Sequence, residues 1–520
     1  MSLRARVLDG ERKTKRSESE ALVIATPHPE DRFAGRRETT SLGSRRGVAI
    51  LLLLSLVQFM DILDASILNI ALPSIKHDLG FSQQSLQWIV DGYILTYGGF
   101  LLLGARMADL LGRRLVLVTG LSIFAGSSLL GGLAHSSSLL VGARFAQGLG
   151  AALLSPAALS TLTTTFRAGR ERHTALGVWG AVSGLGGAAG VLFGGLLTEG
   201  PGWRWVLFVN VPLSAVAFIG AFTLLRRDRI RARLANFDAL GAILVTGGML
   251  LLVYGLVKAP DVGWSTARTI AALSGAALLL TAFVVNELGV TNPLIPLSIL
   301  RVRGVAVADA TQLVAVGGFI PMFFFLTLYM QTVLHYSPIQ TGLAYLPLTG
   351  GFIVSSGIAS QLFARIGTKP VIVAGAVIVA VGLYWLSRIP VDGSYLADIL
   401  PGLLVVSLGG GGLFVGVTTA ANAGVGEEKA GLAAGLLNTG QQVGTALGLA
   451  VLSALATAHT TALLQAGNDT VAEAAAQGYG RALLAGALIV LAGSGVAMLA
   501  PNTRPTAGAV EEEPALDLAA

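Results

Sequence analysis

Runs of about twenty mostly apolar residues recur from Val48 almost to the C-terminus. Each is long enough to cross the ~30 Å hydrocarbon core of a bilayer as a helix, and together they leave little chain for a soluble domain. The pattern predicts an all-α polytopic membrane protein. Composition agrees: charged residues make up 12% of the 520 positions and apolar residues 53%, against roughly 25% charged in a soluble globular chain. The 67 glycines would weaken helices in water. In lipid they let helix backbones approach closely, which suits a tightly packed bundle whose helices move against one another.

Residues 1–47 are polar and charged, with Arg12, Lys13, Lys15 and Arg16 followed by Arg36 and Arg37, and they lack the apolar core of a cleavable signal peptide. They are expected to form a disordered cytoplasmic tail. A six-helix half is expected over 48–225, with spans near 48–73, 86–104, 115–134, 139–162, 175–197 and 203–225. A cytoplasmic loop and two inserted helices, near 238–257 and 270–288, occupy 226–303. A second six-helix half over 304–500 has spans near Val305, Thr341, Val371, Leu396, Ala430 and Ala482, and 501–520 forms a second cytoplasmic tail. The layout is six, two, six, or fourteen spans. The boundaries least constrained are the short apolar stretch 371–385 and a 20-residue polar loop expected after His459.

Positive charge should fall on every second connection if these spans are right, because Lys and Arg accumulate on the cytoplasmic side. One set of connections carries Arg106, Arg113 and Arg114; Arg167, Arg170 and Arg172; Arg226, Arg227, Arg229, Arg231 and Arg233; Arg301 and Arg303; Arg365 and Lys369. The alternate set offers Lys76, Lys258, Arg268 and Arg388 at most. Both termini are therefore expected in the cytoplasm, on a cell-membrane protein with an even number of spans. The net charge of +6 is explained by the same asymmetry, so no nucleic-acid partner is expected.

The first span carries Gln58, Asp61, Asp64 and Asn69. Carboxylates three residues apart lie one above the other on a helix face, with Gln58 and Asn69 on the same side. An intramembrane carboxylate is costly, normally faces a bundle interior or watery cavity, and marks a functional-site candidate. A structural ion pair is the competing role, for Asp61 in particular. The second span ends in a short hairpin from Gly104 to Arg114, where Asp109 sits among Arg106, Arg113 and Arg114. Such charges should pair and can latch the ends of adjacent helices, whereas simple anchoring is the plainer role. Arg144 lies five residues inside the fourth span and needs a partner, for which a carboxylate on the first span is the obvious candidate. The fifth span repeats small residues at spacing four, with Gly186, Gly190 and Gly194 among eight glycines from Gly177 to Gly195. This predicts a packing seam.

There is no Gly-Lys-Ser/Thr phosphate loop, no cysteine, and the six histidines (His28, His77, His135, His173, His335, His459) are scattered through tails and loops. Neither ATP hydrolysis, nor a metal centre, nor enzymatic chemistry has an evident home, and no cofactor is expected.

These residues resemble the major facilitator superfamily and, within it, the fourteen-span drug/proton antiporter branch of the EmrB/QacA type. The stretch from Gln58 through Asp64, Ser66 and Asn69 to Pro73 is similar to that branch's first-span motif, with Asp64 at the acidic position. Arg106 to Arg114 resembles the cytoplasmic gate motif, Arg144 with Gly148 the fourth-span motif, and 188–195 the fifth-span antiporter motif. Residues 202–212, with Trp203, Asn210 and Pro212, and 438–444, with Asn438, Gln441, Gln442 and Gly444, also look like this branch. The sequence departs at Val191, where proline is usual, at Ala105, where the gate motif has glycine, and at Gln441, where arginine is common.

The resemblance implies two six-helix halves that rock about a central cavity, exporting drugs, antibiotics or other small amphipathic molecules in exchange for protons. Asp61, Asp64 and Arg144 are then the proton-coupling candidates, and Asp109, Arg113 and Arg114 the cytoplasmic gate. Gln58, Asn69, Tyr97, Gln147, Gln312, Gln331, Asn438 and Gln442 are the candidate substrate contacts. Burial favours a neutral acid and a nearby cation favours its anion, so opening and closing can swing the proton affinity. A small-molecule substrate, protons and membrane lipid are the expected partners of a monomer driven by the proton gradient. The alternatives are transport of one metabolite, such as a sugar, siderophore or amino acid, or a membrane sensor or scaffold that transports nothing.

Overall fold

A computed structural model describes residues 40–167, 170–226, 238–290, 293–294, 297–423, 425, 430–467 and 470–503. Every regular element among these residues is helical. The first half of the chain contributes α1 (Arg45–Leu79), α2 (Trp88–Leu111), α3 (Arg113–Gly132), α4 (Ser137–Thr165), α5 (Arg170–Glu199) and α6 (Asn210–Leu224). Next come α7 (Ala239–Val262) and α8 (Ala267–Gly289). The rest forms α9 (Gly304–Val333), α10 (Pro338–Phe363), α11 (Thr368–Leu386), α12 (Tyr395–Ala421), α13 (Ala430–Ala466) and α14 (Val471–Ala497). Twelve described helices are long and apolar enough to cross a membrane. The other two expected spans correspond to α2 and α7, of 24 residues each. Of the tail expected over 1–47, residues 45–47 already belong to α1, and residues 1–39, the arginines from Arg227 to Arg233 and the residues from 504 onward lie outside the described residues.

Helix ends follow local chemistry. The Ser44 hydroxyl accepts from the Gly47 N–H at the start of α1, and Gly80, at φ 67°, ends it. The 20-residue loop expected after His459 is a misreading. α13 continues to Ala466 and α14 begins at Val471, so only four residues, 467–470, intervene. Alanine-rich polar sequence stays helical beyond the hydrocarbon, because helix propensity does not require apolarity. The break is set instead by Gly467 in the left-handed region, at φ 72°, and by a capping box. In that box Thr470 accepts from the Glu473 N–H, and the Glu473 carboxylate accepts from the Thr470 N–H. The short stretch over 371–385 is the core of the 19-residue α11.

Packing is close because small residues line it. One buried cluster, with Leu54, Met60, Leu117, Phe124 and Leu154, fills the first six helices. Another, with Phe325, Tyr345, Leu383 and Val490, fills α9 to α14 and reaches Ile67, Ile70 and Leu72 of α1. The inserted α7 packs against α2 and α13, where Thr246 Oγ1 donates to the Gly99 carbonyl at 2.9 Å.

The glycine seam predicted for α5 lies against α1. A β-carbon on Gly194 would stand 2.7 Å from the Ile67 carbonyl oxygen, and one on Gly190 would overlap Ser66. Gly177, by contrast, has open space around it. Gly194→Leu should therefore lower the thermal stability of the detergent-purified protein by several degrees, since overpacking a tight contact costs about 1–3 kcal/mol. Gly177→Leu serves as the control and should melt with the parent. Equal melting of the two variants would show that the seam tolerates bulk.

Candidate transport site

Asp64 sits midway along α1 with 0% of its side chain exposed, and it meets Arg144 of α4, itself 2% exposed. The guanidinium Nη1 donates to Asp64 Oδ2 at 2.7 Å and to Gln147 Oε1 at 2.6 Å. Arg144 and Gln147 are three residues apart and share a face of α4. The other carboxylate oxygen, Oδ1, accepts from Gln147 Nε2 at 2.7 Å and from Asn210 Nδ2, at the start of α6, at 2.6 Å. Gln147 also donates to Ser128 Oγ of α3 at 2.7 Å. Helices α1, α3, α4 and α6 thus converge on one ion pair. Arg144 Nε donates to the Ile89 carbonyl at 3.0 Å, and the guanidinium carbon lies 4.3 Å from the centre of the Tyr93 ring. A buried ion pair survives only when further hydrogen bonds replace lost water, and this one has them around both members.

Asp61, one turn nearer the start of α1, makes a different set of bonds. Tyr93 Oη donates to Oδ1 at 2.9 Å and Tyr97 Oη to Oδ2 at 2.7 Å. Both tyrosines come from α2 at spacing four, with ring centres 5.6 Å apart. Ser155 of α4 and Asn438 of α13 also reach the Tyr97 hydroxyl. Tyr93 touches both carboxylate sites, its hydroxyl on Asp61 and its ring face under Arg144. The partner sought for Arg144 on the first span is therefore Asp64, while Asp61 is held by phenols instead of a cation.

The other sequence candidates divide. Gln147 and Tyr97 belong to the two carboxylate shells. Gln58 Nε2 donates to Ser183 Oγ of α5 at 2.8 Å, and Asn69 Nδ2 to the Ala65 carbonyl of its own helix at 3.1 Å. Gln312 Nε2 donates to Gln441 Oε1 at 3.2 Å. Gln442 lines a narrow cavity between α2, α7 and α13 with Ile94, Leu95, Gly98, Gly99 and Met249. Gln331 Nε2 donates to the Ile70 carbonyl at 2.9 Å, joining α9 to α1. That bond belongs to a closure at one end of the bundle, the end opposite Arg45. There Ile339 N–H donates to Glu199 Oε2 at 3.0 Å, and a β-carbon on Gly195 would lie 2.7 Å from the Pro338 carbonyl oxygen.

At the other end, Gly112, at φ 97°, turns α2 into α3. Arg113 Nη1 donates to Thr164 Oγ1 of α4 at 2.7 Å. Arg114 Nη2 donates to the Phe222 carbonyl of α6 at 2.9 Å and stacks over its ring. These guanidiniums tie the hairpin to its own half of the chain. The Asp109 side chain, the expected partner, lies outside the described residues. Among the described residues no group of three His, Asp or Glu side chains could hold a metal.

Sequence reasoning gave no role to Tyr93 and Ser128, and quoted Asn210 only within a motif. A lone polar residue inside an apolar run carries the same warrant as Asp64, and Asn210 at the head of α6 was findable that way.

Residues 54–449 match the family profile described as Major Facilitator Superfamily. The chain is 39% identical to the cephamycin export protein CmcT of Amycolatopsis lactamdurans over 476 residues, covering 90% of this chain and 95% of that one. It is also 39% identical to the puromycin resistance protein pur8 of Streptomyces alboniger over 414 residues, covering 78% and 81%. Among solved structures, an auto-inhibited POT family peptide transporter superposes with a TM-score of 0.65 at 14% identity, covering 89% of this chain and 99% of that one.

Proposed function

This chain belongs to the major facilitator superfamily of multi-pass membrane transporters, and from that premise we propose that it exports small amphipathic molecules in exchange for protons. The observation that carries the reading is the Asp64–Arg144 pair, because a titratable carboxylate enclosed by four helices couples its charge to how those helices pack. Loading Asp64 with a proton removes the charge that holds Arg144 and loosens the shell. Losing the proton restores it. Asp61, through its tyrosines and Asn438, relays a similar change toward α13. Arg113 and Arg114, with Asp109, brace the cytoplasmic end.

The full reading has fourteen spans in the cell membrane, halves over 48–225 and 304–500, inserted helices within 226–303, and both termini cytoplasmic. Alternation of arginine between connections supports it. One proton falling through 100 mV supplies about 2.3 kcal/mol, enough for a roughly 50-fold gradient of a neutral substrate. Relatives whose names state antibiotic resistance and export support the substrate class and the direction. A second reading, export of one dedicated compound, draws on the cephamycin export protein, which the chain matches over 95% of that relative's length.

The test is accumulation of a panel of dyes and antibiotics in everted vesicles with and without a pH gradient. Uptake of several chemically unlike compounds, lost when the gradient is collapsed, is the expected result. Uptake of one compound alone favours the dedicated exporter, and gradient-independent or absent uptake removes the antiport reading.

A further inference from the structure

Asp91 lies in the first turn of α2, fully buried, and neither carboxylate oxygen has a hydrogen-bond partner. The export scheme above does not use it. Its helix face is set by its neighbours. Gly98, seven residues on and hence on the same face, lies against Gln442 of α13, and Ile94 and Leu95 line a cavity with Val443 and Ala446 of α13 and Met249 of α7. Gln87 precedes Asp91 on that face, and its buried Oε1 is also without a partner. On α13 the face that carries Ala446 carries Ser453 seven residues later, and its buried Oγ is unpartnered too. Helices α2 and α13 run in opposite senses, and the Gln83–Leu86 turn before α2 packs on α13. With Gly98 level with Gln442, Ser453 falls level with Gln87, one turn from Asp91 along the same seam.

Buried polar atoms are rarely left unpaired, and here four oxygens in one seam are. A bare carboxylate charge there has no compensation, while a set made only of oxygens suits a hard cation. The charged groups facing Asp91 do not supply it. Lys258 of α7 lies over the Trp88 ring, 5.8 Å from its centre, and Arg144 of α4 is committed to Asp64, Gln147 and Ile89. Asp61 of α1 is held by Tyr93 and Tyr97, and neither the Gln83–Leu86 turn nor α13 from Asn438 to Ala458 contains an ionisable residue.

We propose that the α2–α13 seam binds one small monovalent cation, a proton or Na+, at Asp91 with Gln87 and Ser453 as neighbouring oxygens, and holds it while the seam is closed. This α2–α13 contact joins the two halves of the chain, so opening it exposes the site and releases the cation. The site is distinct from Asp64 and answers to its own test.

The chain has no cysteine, so His135→Cys and Thr461→Cys place two spin labels on exposed positions of the two halves without further change. Distances between the labels are measured in reconstituted protein while pH, and separately Na+, is varied. If one cation leaves on opening, the closed-to-open ratio changes by up to about tenfold per pH unit or per decade of Na+. A response to pH that survives in Asp64→Asn identifies the proton, and a response to Na+ at fixed pH identifies sodium. In an Asp64→Asn background, where that carboxylate can no longer contribute, a response remains and adding Asp91→Asn abolishes it, so failure here is separate from failure of the export reading. Ser453→Ala, which leaves the carboxylate, displaces the midpoint. Identical titrations of the parent and Asp91→Asn, an unmoved midpoint in Ser453→Ala, or a parent that responds to neither ion overturns the proposal.

Discussion

Everted vesicles carrying Asp64→Asn should lose export driven by the pH gradient, with accumulation falling to the level of vesicles given no gradient. Asparagine keeps the shape of aspartate but cannot change charge, so whatever binding survives is uncoupled from protons. The geometry adds a cost. Asp64 accepts three bonds, and an amide can keep the two at Oδ1 only by turning its NH2 toward Arg144, a donor facing a donor. Insertion must therefore be checked beside transport. Asp64→Glu keeps the charge and should retain partial coupling. Asp61→Asn should be milder. It disturbs one of two tyrosine bonds, about 1–3 kcal/mol for an unpaired buried group, but strands no cation. If Asp64→Asn, inserted at the parental level, still exports at the parental gradient-dependent rate while Asp61→Asn does not, the proton carrier is the other carboxylate.

How much of this was legible in sequence depended on the kind of signal. Spans were readable because the bilayer imposes a length on apolar runs, and the boundary that failed, after His459, lay where polar helix extends beyond the apolar run. The pairing of Arg144 with a first-span carboxylate was readable because a buried guanidinium demands a countercharge. Which carboxylate it chose was not, since Asp61 and Asp64 differ by only 60° around α1. The tyrosines that claim Asp61 come from a helix whose rotation spacing alone does not fix. Gln147 shows the same limit: a polar residue in a span reads equally as a cavity lining or, as found, as part of a closed shell around Asp64. Asp91, five residues inside the second expected span, carried the same warrant as Arg144 at that depth in the fourth and was passed over.

Arg144→Leu should be among the most damaging single substitutions in the chain. It leaves Asp64 buried with its hydrogen bonds from Gln147 and Asn210 but no cation, and breaking a buried pair in this way costs about 3–5 kcal/mol. The purified protein should melt markedly earlier and accumulate poorly. Adding Asp64→Asn to Arg144→Leu removes the stranded charge, so the double variant should regain most of the lost stability while remaining unable to couple. The two changes are then strongly non-additive, as expected for residues in direct contact. Arg144→Lys separates charge from shape. A lysine ammonium can still meet Asp64, but it cannot also supply the Nε bond to the Ile89 carbonyl and the flat contact on Tyr93. It should fold nearly normally and transport slowly. Should Arg144→Leu melt with the parent, the ion pair contributes nothing to holding α1 against α4. The idea that proton loading loosens that contact would then fail with it.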